Sequence, residues 1–126
     1  MSISNSNIIE PSSNNPVGVI AAYSNLNLPA GVSNQDIYTV PAGQRMRLTS
    51  TYIRYVGTVA GVSLILLVNI GGIQTIIANV GPPANGVYYP FNTDVLMEAG
   101  TVVRCVVVNA TLNDDFDAGV ALQRYK

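Results

Sequence analysis

Histidine and tryptophan are absent from this 126-residue sequence, and cysteine occurs once, at Cys105. Within one chain these absences exclude a Cys-His pair, a Ser-His-Asp triad and a four-ligand zinc site. A single cysteine also excludes an intrachain disulfide, which fits a reducing compartment. Charge is scarce too: six Lys or Arg and seven Asp or Glu make up 10% of the residues, where an ordinary soluble domain carries about 25%. A surface so short of charge is poorly suited to remaining alone in solution. The net charge of −1 supplies no basic field for a phosphate backbone, so no nucleic acid partner is expected. Neither GxxxxGK nor GxGxxG occurs, which removes the glycine loops that cradle phosphates. No cofactor, metal or catalytic residue is expected.

The N-terminus, MSISNSNIIEPSSNNP, has no positive charge followed by a long apolar run. It does not read as a secretory signal, and the protein is expected to be made in the cytoplasm. The most apolar stretch, VSLILLVNIGGIQTIIANV at 62–80, is interrupted by Asn69, Gly71, Gly72, Gln74, Thr75 and Asn79. Spanning a membrane takes about 20 predominantly apolar residues, so this stretch reads as two strands and a turn and no membrane partner is expected.

Residues 1–16 are dominated by Ser, Asn and Pro, with Ile3, Ile8 and Ile9 as the only aliphatic anchors after Met1. That composition cannot bury enough surface to order itself and predicts an extended arm, free or held against a neighbouring subunit. From 17 to 126 the chain is a series of short β-like runs between Gly, Pro, Asn and Asp clusters, with no clean 3.6-residue apolar stripe. Strands are expected at 17–23, 35–40, 45–56, 62–70, 73–80, 86–91, 94–97, 102–109 and 118–125. The fold class is therefore all-β, an antiparallel sandwich of jelly-roll type. Pro29, Gly31 and Asn34 mark one long connection, and Gly81, Pro82, Pro83, Asn85 and Gly86 another. A weak internal echo, offset by 57 residues, aligns Ala42, Gly43 and Arg47 with Ala99, Gly100 and Arg104. It predicts two equivalent corners in which Gly43 and Gly100 supply a positive φ.

Alternation assigns the faces. Met46 and Leu48 oppose Arg45, Arg47, Thr49 and Thr51, but parity becomes confused after Ser50, as a bulge would make it. In 62–70, Leu64, Leu66, Val68 and Ile70 oppose Ile65 and Leu67, so both faces are apolar. The same holds for 73–80, where Ile73 and Ile77 oppose Ile76, Ala78 and Val80, and for 102–108, where Val106 and Val108 oppose Val103, Cys105 and Val107. The outer face of a two-layer sandwich is normally wet, so apolar outer faces need a cover. Helices are one candidate, but no helix-period segment remains to supply them. A second subunit is the simpler one, and Ile65, Leu67, Ile76, Val103 and Val107 are the candidate oligomer interface.

Other chemistry is weaker. Counting from Asn113, the cluster Asn113, Asp114, Asp115 and Asp117 puts Gly119 at position seven and Arg124 at twelve, where a calcium loop has glycine at six and glutamate at twelve. It reads as a solvated turn before the last strand. Asp94 and Glu98 flank a turn without the other marks of a glycosidase cleft. Seven tyrosines are compatible with a sugar-stacking platform or with ordinary cross-strand packing. Cys105, inside VVRCVVV, reads as a small core hydrophobe rather than a reactive thiol.

Three segments, IYTVPAGQRMRLTSTYIRYVGT, VLMEAGTVVRCVVVNA and NDDFDAGVALQRY, together with the GG hairpin, resemble small β-sandwich proteins of bacteriophage virions. The likeness covers about residues 36–126. It implies a capsid decoration (cement) protein or a related head-associated protein. A cyclic oligomer, often a trimer, and binding to the major capsid protein on the outer shell come with that resemblance. It brings no catalytic residue. In such a protein the arm residues Ile3, Ile8 and Ile9 would touch the shell. The alternatives are a receptor- or carbohydrate-binding virion module using Tyr88, Tyr89 and the Asp114–Asp117 turn, or a minor neck or tail component.

Overall fold

The computed structural model describes residues 17–125; Ile3, Ile8 and Ile9 lie outside the described residues. Eight strands make up its regular structure: β1 (Val17–Asn25), β2 (Gly31–Thr39), β3 (Arg45–Val56), β4 (Ser63–Ile70), β5 (Ile73–Val80), β6 (Tyr88–Met97), β7 (Val102–Ala110) and β8 (Asp115–Tyr125). Among the described residues no helix is long and apolar enough to cross a membrane.

The pairing is that of one long hairpin rolled up. β4 turns back on β5 at Gly71-Gly72, and outward from that turn β3 pairs with β6, β2 with β7 and β1 with β8, all antiparallel. Rolling adds β3–β8 and β4–β7 contacts. The result is two four-stranded sheets, β1-β8-β3-β6 and β2-β7-β4-β5, the order of a jelly roll, the fold class that the run of short strands predicts. The core between them holds Leu48, Ile53, Leu64, Leu66, Met97, Val103, Cys105, Val107, Phe116 and Leu122.

Bulges explain where simple alternation fails. In β3 the register shifts between Leu48 and Ser50 against both neighbours. Met46 and Leu48 therefore face the core before the shift, and Thr51, Ile53 and Tyr55 face it afterwards. Thr51, expected on the wet face, is buried and donates its hydroxyl to the Gly119 carbonyl at 2.8 Å. The same irregularity merges the two strands expected at 86–91 and 94–97 into one, β6, where Thr93 donates to the Leu48 carbonyl at 3.0 Å. Gly31 and Asn34 also belong to a strand, β2, rather than to a connection. Ser33 and Gln35 hold it locally, with the Gln35 amide donating to the Ser33 hydroxyl and its Oε1 accepting from Tyr23 at 2.6 Å.

The two Ala-Gly corners lie side by side, as nested pairing requires. Val40 N–H donates to the Thr101 carbonyl and Gly100 N–H to the Val40 carbonyl, both at 2.9 Å. Gly43 and Gly100 have φ of 76° and 87°. Gly57 is held more tightly, with φ of 141° and a Cβ position only 2.2 Å from the Asp114 side chain. That carboxylate cannot swing away freely, because it accepts from the Tyr55 hydroxyl at 2.6 Å and from Thr58 N–H at 2.9 Å. Gly57→Ala should therefore cost about 3 kcal/mol of stability, from backbone strain and overpacking together. Urea unfolding measures it; a loss under about 0.5 kcal/mol would show that the Asp114 anchor yields.

Burial also dictates an alkaline response. It pushes the Cys105 thiol from its usual 9.0 up to about 12. Burial first, then the hydrogen bond to Asp114, pushes the Tyr55 hydroxyl from 10.0 up to about 12. The unfolded chain thus releases these protons earlier than the folded one, and stability must fall as pH rises from about 9 to 12, by several kcal/mol in all. Urea midpoints taken between pH 8 and 11.5 should drop, and Cys105→Ala should remove the earlier part of the drop. A flat profile contradicts the burial of both groups.

Candidate functional site

The outer faces of the two sheets differ in kind. On β1-β8-β3-β6, Arg54 meets Asp117 with two hydrogen bonds of 3.1 and 2.7 Å, Arg45 meets Glu98 at 3.2 Å, and Arg47 pairs with Asp94. Tyr88 stacks there under the Arg54 guanidinium, 4.6 Å from its ring centre, and meets Tyr52 edge-on at 5.3 Å. Charges and tyrosines thus dominate the centre and the β6 side of this face, which reads as wet.

The outer face of β2-β7-β4-β5 carries an apolar strip between polar residues. Strand register lays it out in rows: Asn34, Val106, Ile65 and Asn79 form one, and Asp36, Arg104, Leu67 and Ile76 the next. Val102 and Val108 extend the β7 column at either end. Ile76 is 62% exposed, whereas Leu67 is only 2% exposed, lying between Arg104 and Ile76 in its row. Among the described residues the one ion pair here is Arg104 with Asp36, at 2.5 Å. That carboxylate raises the affinity of Arg104 for its proton. The face therefore presents no unpaired Arg104 charge to an incoming surface, which lowers the cost of covering it.

Three of the five candidate interface residues, Ile65, Leu67 and Ile76, thus come together on one outer face. The other two are corrected: Val103 and Val107 are fully buried in the core between the sheets. Their parity is that of Cys105, while the parity of Arg104 is that of Val102, Val106 and Val108. An arginine mid-strand must face outward, so Arg104 is the signal that assigns the valines of β7. Ile76 also departs from simple alternation. A register shift opposite Leu66–Leu67 turns it outward while Ala78 and Val80 stay against the core.

The remaining sequence candidates are dispersed. Asp114 is tied to Tyr55 and Thr58, and Asp117 to Arg54. Among the described residues no group of three His, Cys, Asp or Glu is placed to hold a metal ion. Asp94 and Glu98 each face an arginine rather than each other. Tyr88 joins Tyr52, but Tyr89 faces the core side of β6 and takes the Ala84 N–H at 2.7 Å.

No family profile and no curated protein matches the chain. Similar solved structures include one from the infectious bursal disease virus Gx strain, 13% identical with a TM-score of 0.49, covering 90% of this chain and 33% of that one. Another is a Bacillus endospore appendage, from a family of disulfide-linked pili, 16% identical with a TM-score of 0.48, covering 96% and 98%. A VP2 subviral particle of infectious bursal disease virus is 10% identical with a TM-score of 0.44, covering 87% and 32%. The chain spans about a third of the length of the two viral chains. Likenesses this distant say nothing of activity or partner. The class defined by the described residues is an eight-stranded jelly roll with one charged outer surface and one that bears an apolar strip.

Proposed function

We propose that this chain is a non-enzymatic structural protein of a virion, a capsid decoration (cement) protein. In this reading it self-associates, as a trimer or another closed ring, and binds the major capsid protein on the outer shell. The observation that carries the reading is the apolar strip on the outer face of β7, β4 and β5, where Ile76 is exposed and Ile65 and Val106 are partly exposed. The resemblance of residues 36–126 to phage virion β-sandwiches supplies the shell as partner, and the scarcity of charge agrees with life in an assembly. Such a protein works by area: bridging neighbouring shell subunits adds buried surface that must be exposed before they separate. Ile3, Ile8 and Ile9 are the proposed shell contacts of the arm.

The test is addition of purified protein to undecorated heads. Saturation at hundreds of copies per particle, with raised resistance to heat and low ionic strength, is expected. Heads equally robust without it contradict the cement role, and a few to a dozen copies would indicate a neck or tail part. One observation favours a second reading, a carbohydrate-binding virion module: Tyr52, Tyr88, Arg54 and Asp117 lie together on the charged face. Saturable glycan binding abolished by Tyr88→Ala would establish that reading instead.

A further inference from the structure

A sheet edge is a row of unpaired N–H and C=O groups, and proteins that must keep edges apart interrupt them with charge, proline or bulges. Among the described residues the four edge strands are β1 and β6 in one sheet, β2 and β5 in the other. Two are guarded. β6 carries Pro90 and Asp94, and β2 carries Asp36 and two register shifts. Among the described residues the other two are open: β1, VGVIAAYSN, and β5, IQTIIANV, run for nine and eight residues without a charged residue or a proline. β5 has one register shift, which leaves Ile73–Ile76 as an uninterrupted run. Apolar side chains mark both open edges, with Ile20 88%, Ile73 73% and Ile76 62% exposed.

The placement of the guards is diagonal. β1 lies against β2 on one flank of the sandwich, which puts β6 and β5 together on the opposite flank. Each flank thus has one guarded and one open edge, in different sheets. Copies set side by side with like sheets level would pair β1 with β6 and β2 with β5, forcing Pro90 or the irregular β2 into each ladder. A shift of one layer, about 10 Å, instead brings β1 of one copy to β5 of the next. It leaves β2 and β6 at free rims, and those are the two edges that carry guards.

We propose that copies of this chain join head to tail by pairing β1 of one with β5 of its neighbour, so that the first sheet of one molecule continues the second sheet of the next. This deepens the self-association proposed above and rests on it. The layer shift also brings the neighbour's other sheet next to Ile76, at the β5 margin of the apolar strip. The contact is heterologous, and it closes into a ring, a trimer included, or continues as a filament.

Ile20→Lys and Ile76→Lys each place a charge at one open edge, at positions exposed enough to leave folding intact, which thermal unfolding of each variant checks. Light scattering and native mass spectrometry on the full chain then read assembly. Each variant alone should associate at least about tenfold more weakly than the wild type. An equimolar mixture should return a one-to-one pair, because the Ile20→Lys copy keeps an open β5 and the Ile76→Lys copy an open β1. Loss of assembly in only one variant, or no pair on mixing, overturns the head-to-tail contact. Removal of residues 1–16 dispersing an assembly that both lysines leave intact would make the arm the occupant, and overturns it too. A wild-type monomer at every concentration removes self-association itself and the proposed function with it, whereas an assembly indifferent to both lysines removes only the edge pairing.

Discussion

Phe116→Ala is expected to lower the unfolding free energy by about 3–5 kcal/mol, the usual cost of emptying a fully buried aromatic site. Phe116 is one of the largest fully buried side chains, and its ring lies 6.2 Å from that of Tyr23 at a tilt of 59°. Its strand, β8, is flanked by β1 and β3, so the rigid ladder on both sides limits collapse into the space. Against a total of about 5–15 kcal/mol for a domain, the variant should fold marginally or not at all at 37 °C. Urea unfolding should show a lower midpoint at an unchanged slope. Phe116→Leu, which keeps most of the volume, should cost markedly less and serves as the control. A loss below about 1 kcal/mol for the alanine variant would show that the sheets do not close over this ring.

Ile65→Lys is expected to disperse the assembly while leaving the fold in place. Ile65 stands on central strand β4, level with Val106 on β7 and Asn79 on β5, and points away from the core. A lysine there keeps its charge in water in the free protomer. Covering the face would then remove the hydrophobic contribution of an isoleucine, about 1.5–3 kcal/mol, and bury an unpaired charge as well. Association should weaken about a hundredfold or more at each contact. Thermal unfolding of the dispersed variant should match that of wild-type protein diluted to the same protomer state. An assembly unaltered in mass and dilution behaviour would exclude the β2-β7-β4-β5 face from the interface.

The sequence makes the strands legible because period-two patterning survives wherever one face is buried. The ranges 45–56 and 73–80 coincide with β3 and β5, and the Ala-Gly echo marks two corners that nested pairing sets side by side. What it hides are the bulges. Each one inverts the faces on its two sides relative to one another, which is how Thr51 comes to the core with Met46 and Leu48, and Ile76 faces away from Ala78 and Val80. Uniform valine runs hide parity for a different reason: Val102 to Val108 differ little in hydropathy, and only Arg104 among them distinguishes outside from inside. Val103 and Val107 consequently belong to the core, while Val106 completes the outer face. The diagonal arrangement of open and guarded edges depends on strand order, which composition along a strand does not contain.

The most direct test of self-association is the absolute mass of the purified chain by light scattering across a hundredfold dilution. A covered apolar face predicts a closed oligomer, a trimer or another ring, whose mass holds throughout the dilution series. A stable monomer of 13.3 kDa at every concentration would contradict it, leaving Ile65, Ile76 and Val106 as solvated surface and the shell-building role without its structural basis.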